Sequence, residues 1–368
     1  MVEHSNTLLE LNNVCVDYEA ANGVVHAVSN VSLTLRRGEI LGLAGESGSG
    51  KSTLAYAIMR LLRPPAVITG GEVLYYPRKR SNKDVGSRTT PDVIDILQLT
   101  PAQMRSFRWR ELAIVFQSAM NALNPVMTIG SQIMDVLRTH RPDMGANSRK
   151  RRAQELLKLV GIAPDRLNSF PHELSGGMRQ RAMIAISLAL SPDLIIMDEP
   201  TTALDVVMQR EILMEITRLR KELDFAVIFI THDLSLLLEM ADKIAIMYAG
   251  RLVETASCRE IYAHPRHPYS YGLINSFPSL HGERRYMTGI PGSPPDLRAV
   301  PSGCSFHPRC AMAFDACSRS CPELCTATPD IPGQHVACHL YNTRYQSAPP
   351  TTGDLASSYQ ALAERINI

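Results

Sequence analysis

EILGLAGESGSGKSTLAYAIMRLL, residues 39–62, is the stretch whose reading decides the fold. Ile40 to Ala44 reads as a buried strand, a glycine-rich turn follows, and apolar residues then recur at helical spacing. Between strand and helix stands Gly45-x4-Gly50-Lys51-Ser52, a phosphate-binding loop. Its glycines let backbone N–H groups close around phosphate oxygens, and the N-terminus of the following helix faces the negative charge. Lys51 reaches the β- and γ-phosphates, and the Ser52 hydroxyl ligates Mg²⁺.

Two further stretches extend this reading. DLIIMDEP, residues 193–200, is an apolar strand that ends in Asp198 and Glu199. Alone it reads more readily as a strand end with two solvated acids. Paired with the phosphate loop, it supplies Asp198 to hold Mg²⁺ and Glu199 to polarise the water that attacks the γ-phosphate. HELSGGMRQR, residues 172–181, puts Ser175-Gly176-Gly177 at the start of a helix, a second anion-facing helix tip. One lysine-bearing loop with two such tips implies that the second serves a nucleotide held by another copy.

With these residues in place the chain resembles the ATP-binding cassette ATPases, whose signature motif is matched closely by LSGGMRQR. Other family elements follow in order: Tyr18 as the adenine-stacking aromatic, Gln117 after IVF, Asp205 in TTALD and His232 in FITHD. The resemblance implies an α/β fold: a P-loop NTPase core of cassette type, with an antiparallel β subdomain and a helical subdomain. It also implies a head-to-tail dimer, with ATP between the phosphate loop of one subunit and the Ser175-type signature of the other. Glu199, His232, Gln117 and Lys51 are then catalytic. ATP and Mg²⁺ are expected at Tyr18, Gly45, Glu46, Ser47, Gly48, Ser49, Gly50, Lys51, Ser52, Thr53, Gln117 and Asp198, with Ser175, Gly176, Gly177 and Asp205 acting across the seam. Mg²⁺ would be held by Ser52, Gln117 and Asp198.

The cassette is expected over residues 7–262. Residues 7–76 alternate apolar and polar as an antiparallel β layer, and a polar, basic loop of unassigned chemistry follows at 77–92. The pattern turns helical over about 118–190. RKRR at 149–152 reads as a solvated helix face. SAMNALNP, 118–125, resembles the segment by which importer cassettes grip a permease helix, although Ser118 stands where close peptide-importer relatives usually carry an acid.

Beyond Gly250 the composition shifts: 11 of the 24 prolines lie between Pro265 and Pro332, so an irregular extension is expected over 263–342. Six of the eight cysteines lie there too. PRHPYS, GCSFHPRC and HVACH resemble the C-terminal region of the oligopeptide, dipeptide and nickel importer subfamily. In that pattern the metal-ligand candidates are Cys304, Cys310, Cys317 and Cys338, with Cys325 or Cys321 as an alternative fourth ligand. A [4Fe–4S] cluster, a structural zinc drawing on His307, His335 and His339, and unliganded or oxidised thiols all remain open. Cys15 and Cys258 read as packing residues. Residues 343–368 read as a flexible tail with a short helix after Asp354.

Bulk properties fit this class. The 368 residues suggest two or three units, and 38 Lys plus Arg against 36 Asp plus Glu leave a net +2, so nucleic acid is not expected as a ligand. The opening MVEHSNTLLE lacks a secretory pattern and no apolar run approaches a membrane span, so a soluble, cytoplasmic chain is expected; the resemblance implies a peripheral place at the cytoplasmic face of the cell membrane. The resemblance implies two transmembrane permease subunits, a second cassette ATPase in a heterodimer or homodimer, and an extracytoplasmic substrate-binding protein. The function expected is ATP hydrolysis driving peptide uptake, with oligosaccharide or nickel uptake as alternatives. A soluble cassette ATPase acting on DNA or ribosomes is the other class; its heptad arms and tandem cassettes are missing here.

Overall fold

The structure is a computed structural model that describes residues 6–20, 23–78, 92–117, 122–202, 204–276, 289–328, 331, 333–346 and 348–366. In chain order the strands are β1 (Thr7–Ala20), β2 (Gly23–Arg36), β3 (Ile40–Ala44), β4 (Ala66–Tyr75), β5 (Ile94–Asp95), β6 (Leu112–Val115), β7 (Leu194–Asp198), β8 (Ala226–Ile230), β9 (Lys243–Tyr248), β10 (Arg251–Ser257), β11 (Cys325–Thr326) and β12 (His335–Val336). They form two sheets, β2-β1-β4-β5 and β11-β12-β10-β9-β3-β8-β7-β6. Neighbours from β6 through β7, β8 and β3 to β9 run parallel.

Apart from Lys243 at the start of β9 and Asp198 at the end of β7, the parallel strands carry no charged residue, because both faces are covered. Successive residues of β7 point to opposite sides. Leu194 and Ile196 meet the antiparallel sheet through Leu9, Val16 and Val28. Ile195 and Met197 meet the helical layer through Ile133, Leu156, Ile184 and Ile216. Burying each such side chain contributes about 1.5–3 kcal/mol. The helices of that layer begin where short polar residues cap them: Thr128 before Ile129–His140, Ser175 before Gly176–Ser187 and Asp205 before Val206–Leu223. In the RKRR run, Lys150 and Arg151 are exposed on helix Ala146–Leu159, a solvated face.

The extension is less irregular than its composition suggests. β12 pairs with β10 and β11 with β12, so the extension lengthens the larger sheet by two strands. Fully buried Glu254 of β10 clasps it further, accepting the Arg266 and His267 N–H groups at 2.8 Å each and Gln334 Nε2 at 3.0 Å. Burial pushes this carboxyl upward, against the bonds that hold it. The short helix expected after Asp354 is present as Thr352–Ile366, and its docking corrects the expectation that all of 343–368 is flexible. Leu355 and Tyr359, four apart on one face, are 0% and 1% exposed. Tyr359 stacks near Tyr271 and its hydroxyl donates to Pro268 O at 2.8 Å. Most of the basic loop (79–91) and the start of the permease-type segment (118–121) lie outside the described residues. Among the described residues no helix is long and apolar enough to cross a membrane.

Candidate active site

β3 leads into the phosphate loop, and helix Lys51–Ile58 leaves it. Two positions there demand glycine. Gly45 has φ 145° and a Cβ would lie 2.2 Å from Met247 O; Gly50 has φ 98° and a Cβ would lie 2.3 Å from Ala27 O. Lys51 is folded into the loop, donating from Nζ to Gly45 O and Glu46 O at 2.8 Å and to Ser49 Oγ at 3.1 Å. Burial lowers it from 10.5 to about 8, partly opposed by the Glu199, Asp198 and Glu46 carboxylates. It is a cation that has lost water and donates only to neutral oxygens.

β7 delivers its acids beside this loop. Ser52 Oγ donates to Asp198 Oδ1 at 2.9 Å, while Asp198 Oδ2 is buried with no hydrogen-bond partner. Burial raises the Asp198 carboxyl. Glu199 adopts φ 46°, held by its N–H to Ile230 O at 2.9 Å, a strained turn of the kind found at functional sites. Three side chains grip its carboxylate: Gln117 Nε2 and Thr202 Oγ1 on Oε2, and His232 Nδ1 on Oε1, each at 3.1 Å. Burial pushes Glu199 up, but the hydrogen bonds from His232 and Thr202 and the charges of His232 and Lys51 prevail and hold it below the ordinary carboxylate range. It therefore stands ionised, next to the buried Ser52–Asp198 pair.

The structure thus brings Lys51, Ser52, Asp198, Glu199, Gln117 and His232 together. Tyr18 joins at the edge, its hydroxyl 3.4 Å from Thr53 Oγ1. Ser175 and Asp205 cap their own helices, accepting from Met178 N at 3.3 Å and Met208 N at 2.9 Å, and take no part in the network around Glu199. Sequence reasoning missed Thr202, although its place three residues after Glu199 was a signal. It also missed Arg309 and Tyr269, which reach Glu46 from the extension: Arg309 pairs with the Glu46 carboxylate, and Tyr269 Oη accepts the Glu46 N–H at 2.8 Å.

Two family models match the chain. Residues 28–202 match the family model described as ABC transporter, and residues 253–317 match that described as oligopeptide/dipeptide transporter, C-terminal region. The oligopeptide transport ATP-binding protein of Bacillus subtilis is 44% identical over 83% of this chain and 82% of its own length. The chain belongs to the ABC transporter ATPases. The dipeptide transport ATP-binding protein of Caldanaerobacter subterraneus subsp. tengcongensis is 38% identical to this cassette ATPase over 88% of the chain and 94% of the relative. Among solved structures, the dimeric post-hydrolysis state of the ATP-binding cassette MJ0796 bound to ADP and Pi has TM-score 0.57 and 28% identity, covering 68% of this chain and 99% of that one.

In the extension, Cys304, Cys310, Cys317 and Cys338 line one inner cavity of about 10 Å³ with His267, His307 and His339. Burial pushes Cys304 to about 11 and Cys310 to about 12, and drives Cys338 well above its ordinary value, each thiol also feeling others of the set. Cys321 and Cys325 are exposed; Cys321 borders a wider outer cavity and the Cys325 thiol lies 3.6 Å from Val336 O. The expected metal centre is not found ready-made. Among the described residues no three His, Cys, Asp or Glu side chains are grouped to hold a metal ion, so neither the [4Fe–4S] nor the zinc expectation meets a formed site. Zinc would need its donors about 2.0–2.3 Å away around a single point.

Proposed function

We propose that this cassette ATPase powers an importer of oligopeptides or dipeptides. The observation that carries the reading is the ionised Glu199, held by Gln117, Thr202 and His232 beside the buried Ser52–Asp198 pair. The peptide cargo is supported by the relatives' names and by the match over 253–317, which favour it over oligosaccharide or nickel.

Lys51 exchanges the Gly45 and Glu46 carbonyls for phosphate oxygens when ATP enters. Ser52 and the unpartnered Asp198 Oδ2 suit a Mg²⁺ shell, with Gln117 turning from Glu199 toward it. Mg²⁺ bound there neutralises charge on the phosphate oxygens. Glu199 accepts the proton of the attacking water, and His232, 63% exposed on its side chain, is placed to meet the γ-phosphate from the open side. Tyr18 stacks on the adenine. Ser175, Gly176, Gly177 and Asp205 complete the site of a facing cassette. Val206 and Val207, 79% and 70% exposed beside Asp205, suit burial against that second cassette. Two transmembrane permeases, that cassette and an external binding protein complete the assembly, with this chain at the cytoplasmic membrane face. Residues 7–262, with a helical part over about 118–190, act as the cassette, and 263–342 act as an accessory unit.

The cysteine pocket is read as a [4Fe–4S] site. Four thiols border one cavity, and a [4Fe–4S] cluster takes one thiolate for each iron. His267 lines the same cavity. Its Nδ1 accepts the Tyr269 N–H at 3.0 Å, so Nε2 carries the proton, and that Nε2 is buried without a partner. An N–H donor of this kind is satisfied by a cluster sulfur. The thiols must turn outward and lose their protons to admit it, and a bound cluster would tie the 304–317 turns to the strand end at Cys338.

Purifying the tagged full chain from membranes tests the functional reading. Recovery with integral membrane permeases and a second cassette is expected; recovery only with nucleic acid or ribosomes overturns it.

A further inference from the structure

Glu46 is an odd residue for a loop that binds a polyanion. Its carboxylate lies within electrostatic reach of Lys51, the cation on which the triphosphate depends. Left alone it would compete with phosphate for Lys51 and repel the ligand.

A single side chain from 263 residues away answers that problem. Arg309 meets Glu46 through two parallel bonds, Nη1 to Oε2 at 2.7 Å and Nη2 to Oε1 at 3.0 Å. This fork-on-carboxylate geometry is the strong form of an ion pair. It is also sheltered, the side chains being 7% and 24% exposed. Arg309 is itself held rigidly: Nε donates to Pro291 O at 2.7 Å, Nη2 to Gly292 O at 3.3 Å and Nη1 to Tyr248 Oη at 3.3 Å. Tyr248 and Phe306 pack against its guanidinium. Tyr269 fixes the backbone of the same loop residue. Arg309 belongs to the short turn His307–Arg309, between Cys304 and Cys310 of the cysteine pocket.

We infer that Arg309 is a positioning residue for the ATP site. Its guanidinium cancels the Glu46 carboxylate and holds it off the phosphate path, so that ATP binds tightly only when the cysteine-rich extension is in place. The inference rests on reading residues 45–52 as the ATP site. It makes the extension part of the nucleotide machinery without its touching nucleotide, and guards against ATP occupying a subunit whose C-terminal unit has not folded.

The test is the dissociation constant for MgATP of the full chain, by titration calorimetry. Arg309→Met, which strands the carboxylate, is expected to weaken binding about tenfold, and Arg309→Lys by less. Adding Glu46→Gln to Arg309→Met is expected to restore affinity to within about threefold of the native chain, since the charge to be cancelled is gone. If Arg309 were only an anchor for the extension, the double variant would bind as poorly as Arg309→Met, and that result overturns the inference. Should Arg309→Met fail to fold, the paired amides of Glu46→Gln/Arg309→Gln decide: affinity within about threefold supports charge cancellation, and a loss of about tenfold overturns it. Lys51→Ala is measured alongside. Unchanged affinity in Lys51→Ala overturns the site reading itself, whereas weakened binding there with native affinity in Arg309→Met overturns the role of Arg309 alone.

Discussion

Around the phosphate loop, buried charge is held by hydrogen bonds: Lys51 on three oxygens, Glu199 on three side chains, Asp198 on Ser52. A few residues away, around the cysteine pocket, the buried groups are thiols that desolvation keeps protonated, Cys304 near 11 and Cys310 near 12. The first region is polar and partly open, and Glu199 there is already ionised. The second is apolar, closed and in the charge state opposite to that of a metal ligand. One is organised before any ligand arrives; the other would have to give up protons and open to take the proposed cluster. The two meet at Arg309, which borrows rigidity from the second to correct a charge in the first.

The comparison breaks first at Glu199. Glu199→Gln is expected to slow hydrolysis by about 10²- to 10⁴-fold while ATP remains bound, because a ready base has been replaced by an amide. Steady-state turnover and retained nucleotide check it, and undiminished turnover removes Glu199 from the base role.

Next comes the cysteine pocket. The chain purified without oxygen is expected to carry about four irons and four sulfides, with visible absorbance. Cys338→Ser should lose most of that metal, and the exposed Cys325→Ser should keep it. Stoichiometric zinc without iron would contradict the cluster reading.

A smaller effect sharpens the electrostatic side. Lys51 in the empty loop is lowered to about 8, so its charge is lost as pH rises through that value, whereas bound phosphate restores it. ATP affinity should therefore be flat below about pH 8 and fall above it by up to about tenfold per unit, with proton uptake on binding. Calorimetry in buffers of different ionisation enthalpy reads that uptake; affinity unchanged to pH 9 would contradict it.

The smallest effect lies in the tail. Tyr359→Phe deletes one buried hydrogen bond, to Pro268 O at 2.8 Å, and should cost about 1 kcal/mol in thermal or denaturant unfolding. No change at all would mean that the helix does not dock.

What could be read from sequence follows the same boundary. The strand, loop and helix around Lys51, the acids ending β7, and His232 at the end of β8 are local patterns: each packs chemistry and periodicity into about ten residues. The antiparallel layer announced itself by alternation. Arg309 could not be read that way, because it acts on Glu46 through a fold that closes 263 residues of chain, and no local spacing encodes that contact. The available clue was chemical, an acid in a phosphate loop that lacked a cation. Strands β11 and β12 are two residues each, too short for a period to show. The terminal helix could be read, but its docking could not, because only Leu355 and Tyr359, one turn apart, are fully buried on it. Ser175 and Asp205 were legible as motifs, yet a single subunit leaves them capping their own helices.

The central claim, that this subunit supplies half of a shared nucleotide site, is tested most directly by the structure of the membrane-purified assembly carrying Glu199→Gln, trapped with MgATP. The account predicts ATP between residues 45–52 of this chain and the signature helix of the facing cassette, with Ser175 here closing over the second nucleotide. ATP held by this chain alone, with Ser175 facing solvent and no second cassette against it, would contradict it.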